Sequence, residues 1–99
     1  MNELVSEIER RLRAVYTRIV AGDDLPPALR LRLEGLLEAA VISGCASAGE
    51  LQALLDNVHQ AVAGESLAER YGADWRERFP FPEFPAWQQR APVTPSTTD

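Results

Sequence analysis

"LRLRLEGLLEAAVISG", residues 29–44, is the stretch that decides between two folds. Its first five residues alternate apolar and basic, the pattern of a half-buried strand. Over its whole length it places Leu29, Leu33, Leu36, Leu37, Ala40 and Val41 at helical spacing. The longer pattern outweighs the shorter one. No other stretch alternates over a useful length, so the expected fold class is all-α. Gly44 is expected to end this helix, because glycine adopts the left-handed conformation of a helix stop without steric cost. Asp23 or Asp24 in "GDDLPPALR" is expected to cap its start, with proline tolerated in the first turn. Gly35 costs about 1 kcal/mol relative to alanine in a helix interior, and is expected to mark a close helix crossing.

On the N-terminal side, Leu4, Ile8, Leu12, Val15 and Ile19 recur every three or four residues over 3–21, with Val5, Tyr16 and Val20 widening the stripe. Asn2 suits the N-cap, Glu3 suits the positive end of the helix dipole, and Gly22 suits the stop. On the C-terminal side, Ser47-Ala48-Gly49-Glu50 is a capping box. It opens a third helix with a face of Leu51, Leu54, Leu55, Val58 and Val62, closed by Gly64. Ser66-Leu67-Ala68-Glu69 repeats the box. Leu67, Tyr71, Trp75 and Phe79 then follow at spacings of four, within a short helix that Gly72 breaks and Asp74 caps again. Connections this short imply antiparallel neighbours. The expected architecture is a small three-helix core with a short or broken fourth helix and an extended Pro/aromatic C-terminal arm.

That arm is 79–90. "FPFPEFPAW", residues 79–87, holds all three phenylalanines and three of the seven prolines. Pro80, Pro82 and Pro85 favour polyproline II, a helix of three residues per turn. Phe81, Phe84 and Trp87, spaced by three, would then line one edge. An apolar edge of that size is not left in water. It either folds back on its own bundle or docks on another chain, and a swapped arm satisfies both readings. Trp75, Phe79, Phe81, Phe84 and Trp87 are therefore the candidate partner-binding residues. Residues 1–90 form one domain, and 91–99, small and polar, are expected to be a disordered tail.

Ninety-nine residues bearing a net charge of −5 fit one acidic domain. All ten basic residues are arginine, a pattern that codon usage explains as readily as a demand for bidentate contacts. One cysteine, Cys45, excludes an internal disulfide and agrees with a reducing cytoplasm. No apolar run approaches the roughly 20 residues of a membrane span, and the N-terminus lacks the apolar core of a secretory signal. The only histidine, His59, is expected half-exposed at the edge of the third helix, and Cys45 is expected to be a small buried thiol. Neither is expected to be catalytic. No glycine-rich phosphate loop or metal-ligand cluster is present in the sequence, so no cofactor or metal is expected.

A helix-turn-helix reading rests on Gln52, Asn57 and Gln60, whose amides suit adenine. From Leu33 to Glu69, however, there is no arginine or lysine against six acidic residues. Such a surface repels phosphate. The leading expectation is a non-enzymatic protein–protein interaction module that forms a homodimer or binds another protein, with no nucleic acid and no membrane as partner. A DNA-binding regulator comes second, and an enzyme or small-molecule binder third.

Overall fold

A computed structural model describes residues 2–86. It is all helical: α1 (Glu3–Val20), α2 (Pro27–Ile42), α3 (Ala48–Ala63), α4 (Leu67–Tyr71) and α5 (Trp75–Arg78), with no strand among the described residues. The "LRLRL" alternation is absorbed into α2. Residues 87–90 of the arm and the tail 91–99 lie outside the described residues.

The helix signals act where their chemistry places them. The Asn2 side chain accepts from the backbone N–H groups of Leu4 and Val5 at 3.1 and 3.2 Å. Both capping boxes close: Ser47 with Glu50, and Ser66 with Glu69. Gly22, Gly44 and Gly64 take positive φ at the helix ends. Two starts differ from expectation. At α2 neither aspartate caps. Pro26 holds the N-cap position and Pro27 the first helical one, with no side-chain cap bond. The Pro26–Pro27 pair sets the start by fixing φ, two residues beyond the reach of Asp24. At α5, Asp74 occupies the N-cap position but makes no cap bond; it pairs with Arg78 at 3.4 Å.

α1 is the central helix, packed mainly on α3 and next on α2. Asn2 Nδ2 donates to the Cys45 carbonyl just before α3, at 3.1 Å. Near the other end, the Tyr16 and His59 rings meet edge to face at 5.0 Å. α1 and α3 therefore run parallel, and α2 returns between them. Ile8, Leu12, Val15, Tyr16 and Ile19 of α1 close on Leu33, Leu37 and Ala40 of α2 and on Leu51, Leu55 and Val58 of α3. Val20 lies outside the core, 46% exposed.

Gly35 does not mark a crossing among the described helices. A Cβ placed on it would meet no atom within 4 Å, and the residue is exposed. It lies on the side of α2 opposite Leu33 and Leu37, about 160° around the helix from each.

Candidate functional site

Two apolar regions outside the three-helix packing bear on function: the aromatic arm, and the outer face of α2.

The arm does not run as one extended helix. Glu83 N–H donates to the Pro80 carbonyl at 2.9 Å, closing a turn that contains a cis Phe81–Pro82 peptide. The turn separates the two phenylalanines that polyproline geometry would have aligned. Phe84 is fully buried and Phe81 only half-buried. Phe84 sits edge to face with Tyr16, centroids 6.2 Å apart. Its backbone N–H donates to Glu34 Oε2 at 3.3 Å, and Arg30 holds the same oxygen at 3.0 Å. Tyr16 Oη donates to the Pro85 carbonyl at 3.3 Å. Phe84 and Pro85 thus pack against α1 and α2. Trp75 is buried, with the Arg76 guanidinium 5.0 Å from its ring centroid. Phe79 is half-buried against Tyr71, centroids 5.5 Å apart. Of the five candidate residues, Trp75 and Phe84 are core, Phe79 and Phe81 are half-covered, and Trp87 lies outside the described residues.

Behind the arm, expectation and structure exchange the two reactive side chains. His59 is buried, because Leu51, Leu55 and His59 stand four apart on the inner stripe of α3. Its Nδ1 lies 2.7 Å from the Glu65 carbonyl oxygen. A carbonyl only accepts, so Nδ1 carries the hydrogen. Cys45 is exposed, because it falls in the connection after Gly44. There its sulfur accepts from Ser43 Oγ at 3.2 Å. His59 stands about 16 Å further along the axis of α3 than the start of that helix. The structure does not bring them together.

Burial raises the pKa of both tyrosines. Tyr16 is pushed well above the ordinary phenol range by loss of water, and Tyr71 is pushed up to about 12, by burial first. The Tyr71 hydroxyl is buried and has no hydrogen-bond partner among the described residues.

The ends of α1 and α3 near Asn2 frame an open groove of about 380 Å³, lined by Asn2, Val5, Cys45, Glu50 and Leu54 among others. Two of its polar side chains are already engaged: Asn2 caps α1 and bonds Cys45 O, and Glu50 closes its capping box. No group of three potential metal ligands occurs among the described residues, and no described helix is long and apolar enough to cross a membrane.

The outer face of α2 is the region that sequence reasoning missed. Leu31 is 66% exposed and Ile42 78% exposed. Ala28, Gly35 and Ala39, all exposed, complete the stripe. With about 100° per residue, these five lie within about 40° of the Gly35 direction. The signal was present in the alternation of "LRLRL": on a helix, Leu31 must point away from Leu29 and Leu33. No family model, curated protein or solved structure gives a significant match to this chain.

Proposed function

We propose that this chain is a non-enzymatic protein-interaction module whose binding surface is the outer face of α2. The observation that carries the reading is the exposure of Leu31 and Ile42 on one side of a helix whose other side is already core. A helix apolar on two opposite sides has more apolar surface than one bundle covers. Two further observations support it. His59 and Phe84 are engaged internally, and the thiol and imidazole stand far apart. The acidic run from Leu33 to Glu69 disfavours a nucleic acid as partner. The lone cysteine agrees with a cytoplasmic setting.

Photo-crosslinking in the native host tests the reading. A benzoylphenylalanine placed at position 31 or 42 is expected to form a covalent adduct with a protein, itself or another. The same probe at the exposed Arg11 is expected to form none. Absence of an adduct from both α2 positions overturns the proposal.

A further inference from the structure

We propose that the occupant of the α2 face is a second copy of this chain, the two α2 helices crossing in parallel at Gly35. This rests on the reading of that face as an interaction surface, and adds the partner and its orientation.

The face has an open middle. The large side chains, Leu31 and Ile42, stand toward its two ends, and Gly35 and Ala39 lie between them. Nothing within 4 Å would obstruct even a Cβ on Gly35, so a second helix has open access to the α2 backbone there. Packed helices lie about 8–10 Å apart depending on the side chains at the contact, and glycine permits the close end of that range. The residue that is unfavourable in a lone helix acquires a use at such a crossing.

Charge selects the orientation. Arg32 lies about 60° to one side of Gly35 and Glu38 about 60° to the other. Both are exposed, and neither side chain has an ion pair or hydrogen bond among the described residues. By contrast, Arg30 and Glu34 on the same helix already pair. A two-fold axis parallel to the helices sets the Arg32 edge of one chain against the Glu38 edge of the other, twice. The two residues are then about 9 Å apart along the axis, within reach of two long side chains. A two-fold axis perpendicular to the helices would set Arg32 beside Arg32 and Glu38 beside Glu38. The parallel crossing attracts where the antiparallel one repels.

One helix face gives a contact smaller than the roughly 1,600 Å² of a standard interface, so the dimer is weak. Sedimentation of the full chain from micromolar to millimolar concentration is expected to show a dimer, with a dissociation constant on the order of 10–100 µM. Arg32→Glu and Glu38→Arg are each expected to weaken it by about 3- to 10-fold. The double exchange is expected to restore it to within about 2-fold. In a Cys45→Ser background, Gly35→Cys and Leu31→Cys are each expected to form disulfide-linked dimers under mild oxidation, since equivalent residues meet in a parallel crossing. Linkage of Leu31→Cys only to Ala39→Cys would show an antiparallel pair and overturn the inference, as would failure of the double exchange to restore affinity. A single-chain mass at 1 mM also overturns it. If photo-crosslinking from position 31 still captures another protein, the interaction reading survives while the self-pairing does not.

Discussion

The arm and the outer face of α2 are both apolar, and each lies where composition suggests the other should be. The arm has the residues of a docking segment: phenylalanine, proline and tryptophan in extended sequence. It closes the core, with Phe84 against Tyr16 and Glu34. The α2 stretch has the residues of a core helix, chiefly leucine and alanine, yet leaves Leu31 and Ile42 in water. Apolar composition states that a surface must be covered. It does not state by what. The arm is attached by short helices that return it to the bundle, whereas one side of α2 has no later segment among the described residues to cover it.

The comparison breaks most visibly at Phe84. Phe84→Ala is expected to cost about 3–5 kcal/mol, the usual cost of removing a buried aromatic. Chemical denaturation measures it, and the loss should not vary with protein concentration, because the ring is buried in its own chain. A loss that shrinks as concentration rises would move the arm to the docking class.

Alkaline titration probes the same side of the molecule. Both buried tyrosines ionise at higher pH folded than unfolded, Tyr71 at about 12 against an ordinary value near 10. The unfolded chain therefore loses its phenolic protons first. The Tyr71 contribution to stability is intact below pH 10 and is expected to be lost as pH rises through 12, while that of Tyr16 is lost only at still higher pH. Melting temperature followed with phenolate absorbance checks it. An unchanged melting temperature from pH 9 to 12 would show tyrosines already in contact with water.

Tyr71→Phe is a smaller and oppositely signed test. It removes a buried hydroxyl that has no partner among the described residues, so it is expected to be neutral or to stabilise by up to about 1 kcal/mol. A clear loss in thermal denaturation would reveal a bond that the hydroxyl makes. The smallest effect belongs to the other region. Ile42→Ser is expected to change the stability of the single chain, measured by dilute denaturation, by no more than about 0.5 kcal/mol, because the side chain is 78% exposed. If it instead cost as much as Phe84→Ala, the contrast between the regions would vanish.

What was legible in the sequence was local. Ser47 with Glu50 and Ser66 with Glu69 complete their bonds within one turn, so three residues of separation hold all the information. The inner stripes of α1, α2 and α3 were legible for the same reason. The arm's destination was not: Phe84 N–H finds its acceptor at Glu34, fifty positions away, and Tyr16 reaches Pro85 across 69. His59 was misjudged by residue type, although its spacing from Leu51 and Leu55 placed it inside. Cys45 was misjudged in the opposite sense, since cysteine is usually buried but a connection after a glycine stop faces water. The outer stripe of α2 was hidden because the stronger inner stripe had already explained the helix.

The Tyr16–Pro85 bond spans almost the whole described chain. On a ribosome, which adds roughly 5–20 residues per second, Tyr16 waits roughly 3–14 s for Pro85 to be made. Only over the last 22 residues of that interval, after Ala63, have α1, α2 and α3 all been synthesised, and the side of Tyr16 that Phe84 covers is still open. The Tyr16 side of the core is therefore completed by the segment that is made last among the described residues.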